Sequence, residues 1–263
     1  MARLSGHAFP DRAIWVVIPA LNEADRLPLL LADLAPTRPL VGQPIVVDGG
    51  SSDGTRLLAR LAGARVLPSA AGRGQQLRWG AEAALEEMAA EPSLEGWLLF
   101  LHADARLSPG WQGAVTAALA RPPAPWCFRL RIEGQGVGLR LVEGAVALRS
   151  HWAQRPYGDQ GLLIPAALYQ RVGGYRPLPL MEDLDLVERL SAVSPVRCLM
   201  ADVEVDNRRW RQLGVARTAW RNHRLRQAWR RGVSPEQLAA SYYGEYQKAQ
   251  RRCIGSSSHP WLA

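Results

Sequence analysis

The stretch Trp97-Leu-Leu-Phe-Leu-His-Ala-Asp-Ala-Arg-Leu107 runs from five continuous apolar residues straight to His102 and Asp104. An apolar run that short suits a strand buried on both faces, and the polar residues after it must then surface at the strand's carboxyl edge. In open α/β sheets that edge is where ligands bind. The expectation is a chain built to hold Asp104 beside a metal-bound phosphate.

Working outward toward the N-terminus, the same pattern recurs. Ile14-Trp-Val-Val-Ile18 is an apolar run closed by Pro19, and a polar turn through Asn22, Glu23 and Asp25 leads to a leucine-rich helix over 26–34. Pro36, Pro39 and Pro44 keep the next connection non-helical before the strand Ile45-Val-Val47, which ends at Asp48. Gly49-Gly-Ser-Ser-Asp-Gly54 forms the following turn, and Leu57, Leu58 and Leu61 give its helix an apolar face. A third unit has a strand over 64–67, a turn at Gly72-Arg-Gly74 and a helix with Leu77, Ala81, Ala84, Leu85 and Met88 at helical spacing. Ser108-Pro109 then opens a helix over 111–120.

Strands alternating with helices predict βαβ units, right-handed crossovers and a mostly parallel sheet. Its carboxyl ends share one edge, so Asn22, Glu23, Asp48, Asp53, Arg73 and Asp104 should converge there. Beyond residue 121 the pattern loosens. Residues 127–132 alternate Phe128, Leu130 and Ile132 against Arg129 and Arg131, which predicts a half-exposed antiparallel strand. A helix over 139–150, a turn at 155–160, a short strand at 162–164 and a helix over 181–190 with carboxylates in its first turn follow.

The 263 residues, 48% of them hydrophobic, accommodate a core domain (1–205) with an appendage (206–263). Charge marks the same boundary: residues 201–263 hold 12 Lys+Arg against 5 Asp+Glu, a net of +7, leaving residues 1–200 with 20 against 19, a net of +1. Any polyanion or membrane argument therefore belongs to the last quarter of the chain. Cys127, Cys198 and Cys253 form no CxxC pair, so neither a disulfide framework nor a zinc site is expected. With no apolar run after Arg3 and none of about 18 residues anywhere, a cytoplasmic protein is expected. Lys248 is the only lysine, which removes a Walker lysine and any Schiff-base lysine from the main domain.

Each constellation has a bland reading beside a functional one. Asp104 could be a turn residue; several carboxylates at one edge, however, make sense together when a hard divalent cation bridges them to a diphosphate. His102 is either a partner of that site or a capped core edge. Gly50-Ser-Ser-Asp-Gly54 matches the G-x-S-x-G nucleophile elbow, with Ser52 as nucleophile and Asp183 and His223 completing a triad, but Asp48 and Asp53 crowd it with negative charge. Gly72-Arg-Gly-Gln-Gln76 before a helix suits an anion without forming a dinucleotide fingerprint. Glu182-Asp183 is either a helix cap or the source of a general base, and Asp185 and Glu188 are expected to be solvated. Arg208 to Arg231 carries nine arginines and no acid, interleaved with Trp210, Leu213, Trp220, Leu225 and Trp229. It reads either as a basic amphipathic helix on an anionic membrane or as a helix packing its tryptophans on the domain. No recognition motif accompanies the charge, so nucleic acid is not expected.

Taken together and in order, IWVVIPALNE (14–23), IVVDGGSSDGT (45–55), LLFLHAD (98–104), Gly173-Gly-Tyr175 and Met181-Glu-Asp183 resemble the family 2 glycosyltransferases with the GT-A fold. GRGQQ, FLHAD, GDQ, PLMEDLDL and RRW resemble more closely the subgroup named for association with radical-SAM and selenodomain proteins, over about residues 13–245. The resemblance implies an α/β GT-A (Rossmann-like) sheet with a small antiparallel part and a helical, Arg-rich extension. It implies a nucleotide-sugar site of Pro19, Asn22, Glu23, Asp48, Arg73, Gln76, His102 and Asp104, with Asp104 the ligand of Mg2+ or Mn2+ and Asp183 the catalytic base. His102 stands where many relatives have the first Asp of a DxD motif, and Gly49 where many have a second Asp that reads the base, so the resemblance does not extend to uridine specificity. The implied reaction is inverting transfer of a sugar from a nucleotide diphosphate to a hydroxyl acceptor, a lipid or a small molecule, by a cytoplasmic enzyme peripheral to the membrane. The alternatives are the Ser52 hydrolase and a non-catalytic GT-A-like module that binds a membrane surface or a partner.

Overall fold

The computed structural model describes residues 12–35, 41–91, 93, 95–152, 156 and 158–244. Expectations for Pro36, Pro39, Arg155, Lys248, Cys253 and the chain beyond 244 lie outside the described residues. Eight strands form one sheet: β1 (Arg12–Ala20), β2 (Ile45–Asp48), β3 (Arg65–Pro68), β4 (Glu95–Phe100), β5 (Ala105–Leu107), β6 (Trp126–Ile132), β7 (Leu162–Pro165) and β8 (Arg197–Val205). Their order is β3-β2-β1-β4-β7-β6-β8-β5. The β1–β2, β2–β3, β1–β4 and β6–β8 pairings are parallel, and β4–β7, β6–β7 and β5–β8 are antiparallel. This is the expected α/β sheet, parallel in its N-terminal half and mixed in the other.

The run in β1 is continuously apolar because both faces of the sheet are covered. Ile14, Val16 and Ile18 pack with Leu27, Leu30 and Leu34 of α1 (Leu27–Leu34) and with Trp111, Val115 and Leu119 of α4 (Trp111–Leu119). Trp15 and Val17 face the other way, onto Leu77, Ala81 and Ala84 of α3 (Arg73–Ala89) and Leu186 and Leu190 of α7 (Glu182–Ser191). The remaining helices are α2 (Thr55–Leu61), α5 (Val137–Trp152), α6 (Ala166–Arg171), α8 (Arg208–Leu213), α9 (Val215–Arg230) and α10 over 235–244.

Two features differ from the expectation. The stretch 97–107 is a strand, a four-residue turn and a second strand, since β5 follows Asp104 at once and pairs with β8. The β8 strand itself goes unannounced in the sequence reading, and it makes β6 the parallel neighbour of one strand as well as the antiparallel neighbour of another. At the C-terminal end, Leu225 and Leu238 pack with Leu180, joined by Trp229 and Tyr242, so the inner face of α9 is seated on the domain.

Candidate active site

The carboxyl ends of β1 and β2 are stitched together by their own loops. Asn22, in the left-handed region at φ 54°, donates its backbone N–H to Ser51 Oγ (2.9 Å) and accepts from the Ser52 N–H at Oδ1 (2.9 Å). The Glu23 N–H donates to Thr55 Oγ1 (2.8 Å), and the Ala24 N–H to Asp53 Oδ2 (3.1 Å). Asp48, 2% exposed, accepts the N–H groups of Gly50 and Ser51, both at 3.1 Å. Buried Gln76 donates from Nε2 to Ala20 O (2.9 Å) and Val47 O (2.8 Å), next to Pro19, which lies in register with Val47. Pro19 and Gln76 thus brace the edge from behind, while Asn22, Glu23 and Asp48 set the shape of its front.

Beside this frame lies an acid cluster joined by the Arg208 guanidinium. Arg208 Nη2 reaches the two Glu23 carboxylate oxygens at 2.9 and 3.1 Å and Asp104 Oδ2 at 3.7 Å, and its Nε lies 2.9 Å from Asp206 Oδ2. Arg26 adds a second contact to Asp206 at 2.9 Å. Burial pushes the Glu23 carboxyl up, Arg208 opposes it, and Asp104 and Asp206 add to it. Glu23, Asp104 and Asp206 come from the ends of β1, β4 and β8, and the arginine that joins them opens α8.

A shallow recess adjoins the end of β4, lined among others by Arg73, Phe100, His102, Gly158, Tyr175, Glu182 and Asp183. Gly74 lets α3 start there: a Cβ would come within 2.7 Å of Arg176 O and 2.6 Å of Leu178 O. Arg73 pairs with Glu182, whose side chain is 1% exposed, and lies 3.8 Å from Asp183 Oδ2. Burial works against the Arg73 charge, but Glu182 and Asp183 together outweigh it and raise its pKa. For Glu182, burial is the larger effect and its carboxyl is pushed up. Asp183 Oδ2 accepts the Gly158 N–H (2.8 Å) and Oδ1 the Leu184 N–H (2.8 Å), which fixes the carboxylate at the recess wall. Position 158 has no room for a side chain, since a Cβ would meet Asp183 Oδ2 at 2.8 Å.

The sequence matches the family described as Glycosyl transferase family 2 over residues 15–176. The chain belongs to glycosyl transferase family 2. A curated relative, Succinoglycan biosynthesis protein ExoA of Rhizobium meliloti (strain 1021), is 48% identical over 58 residues, 22% of this chain and 18% of the relative's own length. The chain therefore spans under a fifth of that relative. Glucosyl-3-phosphoglycerate synthase from Mycobacterium tuberculosis, solved with Mg2+ and UDP, is similar at TM-score 0.54 and 20% identity, covering 75% of this chain and 72% of that one. S. aureus TarS 1-349, solved with UDP-GlcNAc, is similar at TM-score 0.54 and 13% identity, covering 74% and 59%. Likenesses at those identities speak for the fold.

Within this family 2 glycosyltransferase the hydrolase alternative finds no geometry. Ser52 is not among the residues at positive φ, as the sharp, strained turn of a nucleophile elbow would lead one to look for. Its Oγ lies 3.3 Å from Asn22 Oδ1, and His223 meets Gln227 at 2.8 Å on α9. The expectation that Asp185 is solvated is also corrected. It is 6% exposed and paired with Arg176 (3.0 Å) and Arg189, because the Gly173-Gly174 turn folds back over α7, with the Gly174 carbonyl accepting from Arg189 Nη2. Glu188 accepts the Trp229 indole N–H at 3.1 Å.

Residues missed by sequence reasoning are Arg208 as the clamp of the acids, Asp206, and Asp159. Asp159 Oδ1 is buried without a hydrogen-bond partner, and burial pushes its carboxyl up. The GDQ motif was the one signal that could have found it. Cys127 and Cys198, far apart in sequence, are register partners on β6 and β8 with Sγ atoms 3.6 Å apart as free thiols.

Among the described residues, no group of three or more His, Cys, Asp and Glu side chains is arranged to hold a metal ion. Asp104 contributes one carboxylate, 28% exposed, at the sheet edge. Mg2+ and Mn2+ at nucleotide sites take one or two carboxylates and complete their shells with phosphate oxygens and water. The donor set therefore fits an ion that arrives with the nucleotide and does not fit a resident all-protein cage.

Proposed function

We propose that the protein transfers a sugar from a nucleotide diphosphate sugar to a hydroxyl acceptor with inversion at the anomeric carbon. The observation that carries this reading is Asp183, held by two backbone N–H groups at the wall of a recess that His102 also lines, next to the loop bearing Asp104. Asp183 accepts the acceptor's proton as its oxygen bonds to the anomeric carbon and the bond to the diphosphate breaks. The loops bearing Asn22, Glu23 and Asp48 hold the nucleoside end of the donor, with His102 at the sugar-proximal side. Arg73 fixes Glu182 and the start of α7, which keeps Asp183 in position. Arg208, its side chain 48% exposed, offers its guanidinium fork to the diphosphate beside Asp104.

Asp104 would hold a Mg2+ or Mn2+ ion, which when bound neutralises the charge that develops on the departing diphosphate. The Mg2+–UDP and UDP-GlcNAc complexes of the similar structures support a nucleotide-sugar donor. The motifs GRGQQ, FLHAD, GDQ and RRW support membership of the radical-SAM and selenodomain-associated subgroup. No helix of the described residues is long and apolar enough to cross a membrane. Arg208 to Arg231 gives the enzyme a second partner, an anionic membrane surface, at which it works as a peripheral cytoplasmic protein. Residues 1–205 form the catalytic domain and 206–263 its basic extension.

The test is release of nucleotide diphosphate from a panel of UDP-, GDP-, ADP- and dTDP-sugars with and without Mg2+, with Asp104→Ala as control. Metal-dependent release lost in Asp104→Ala is expected. Release from no donor, or release indifferent to Asp104, would overturn the reading.

A further inference from the structure

The α5 helix presents apolar side chains on both sides. Inward, Leu139 and Val146 join Ile132 and Val205 in a small core, and buried Glu143 accepts the Ile132 N–H at 2.7 Å. Outward, Val137, Leu141 and Leu148 are 78, 69 and 62% exposed, with exposed Gly144 and Ala145 between them. Positions 137, 141, 144 and 148 share one side of a helix, where a helix facing water carries charge. Among the described residues, the stripe is thus an apolar face with no apolar partner.

The α9 helix supplies the charge beside it. Its first turn packs against the first turn of α5, where Val215 lies against Gly138. Its inner face is buried through Thr218, Arg221 and Leu225, and its outer face exposes Arg217, Trp220, Arg224 and Arg231. Trp220 is 59% exposed with the Arg224 guanidinium 4.8 Å from its ring centre. An exposed tryptophan with an arginine over its ring, on a helix without carboxylates whose first turn touches the helix bearing the apolar stripe, matches a bilayer in both its layers. The leucines enter the acyl boundary, Trp220 sits at headgroup depth and the arginines meet anionic headgroups.

We propose that the outer faces of α5 and α9 form one docking surface for an anionic lipid bilayer, with Val137, Leu141 and Leu148 as the inserting element. This rests on the membrane-partner part of the reading above and adds the apolar helix that charge alone does not identify.

Deleting residues 206–263 is a poor test, since it also strips Leu225 and Leu238 from Leu180 and Arg208 from its acids. Exposed point variants avoid that. The full chain is sedimented with phosphatidylcholine vesicles and with vesicles containing phosphatidylglycerol, as wild type, as Leu141→Glu/Leu148→Glu, and as Arg217→Glu/Arg224→Glu. Wild type should sediment with the anionic vesicles only, and each double variant should lose at least tenfold in apparent affinity while binding nucleotide as before. Wild type that stays in solution, or leucine variants that sediment unchanged, would overturn the proposal. So would a wild-type dimer that the leucine variants dissociate, because the stripe would then be a self-association face. Nucleotide-diphosphate release assayed in parallel separates the two readings: vesicle binding without donor turnover sinks the transferase and leaves the docking surface standing.

Discussion

The Arg208 guanidinium lies 3.7 Å from the Asp104 carboxylate and closer still to Glu23, so a side chain outside the family-matched residues 15–176 joins the acids at the sheet edge. Arg208→Ala should weaken donor binding about 10- to 100-fold, the range for hydrogen bonds to charged groups. Arg208→Lys should recover little, because an ammonium does not reproduce the fork. Calorimetric titration with nucleotide diphosphate checks this; unchanged donor affinity in Arg208→Ala would remove Arg208 from the site.

Asp183→Asn keeps one oxygen, enough for the Gly158 or the Leu184 N–H but not for both, and loses the base. Turnover should fall by about 100- to 10,000-fold, the usual contribution of general-base catalysis, with nucleotide affinity close to wild type and stability lowered by about 1 kcal/mol for the lost hydrogen bond. Full activity in this variant would end the assignment.

Arg73→Ala leaves Glu182 buried beside Asp183 without its cation. Breaking a buried pair costs about 3–5 kcal/mol, and the partial exposure of Arg73 favours the lower end. The cost depends on pH. Burial already raises the Glu182 pKa above the ordinary 4.5, and removing Arg73 raises it further. A buried acid with a raised pKa destabilises the fold only once it ionises, so the loss should be full at pH 7–8 and shrink as pH falls through that raised value toward 4.5. Denaturant titrations of both proteins across pH 4–8 measure it, and a pH-independent difference would contradict it.

The hydrogen bond between the Cys127 and Cys198 sulfurs outweighs burial and lowers the Cys198 pKa to about 7. Iodoacetamide should therefore modify Cys198 with a rate that rises to half its plateau near pH 7. In Cys127→Ala that midpoint should move up toward the ordinary 9.0. Mass spectrometry resolved to the Cys198 peptide distinguishes it from Cys253; identical profiles in the two proteins would refute the coupling.

The N-terminal half of the fold was legible because its strands are short apolar runs ended by polar residues or Pro, and its turns carry Asn, Asp, Gly or Ser. The expectation that Asn22, Glu23, Asp48, Asp53, Arg73 and Asp104 share one edge followed from strand direction, whereas Asp183 was picked out as the base by the resemblance alone. β8 was not legible because Arg197-Cys-Leu-Met-Ala-Asp-Val-Glu-Val205 alternates as a surface strand does, and Met200 faces solvent at 81% exposure. β5 was hidden because three residues carry no periodicity and their pairing exists only once β8 is present. Arg208 was read as one charge among nine, and nothing local distinguishes it from Arg209 or Arg211. Its selection is made by Asp206, two residues earlier, which accepts the Arg208 N–H at 2.5 Å. Asp185 was misjudged because its partners Arg176 and Arg189 reach it through a turn that helix periodicity alone does not display.

The insertion of β8 between β6 and β5 has a consequence for how the chain is made. The ribosome delivers β5 about ninety residues before the strand that will hold it, so residues 105–107 must wait unpaired while the parallel half of the sheet assembles behind them. Glu23 and Asp104 wait longer, as two mutually repelling charges, until residue 208 emerges. The nascent protein acquires its parallel strands from the front and the clamp on its acids from the rear, and a chain arrested before α8 would lack both that clamp and the cover over Leu180.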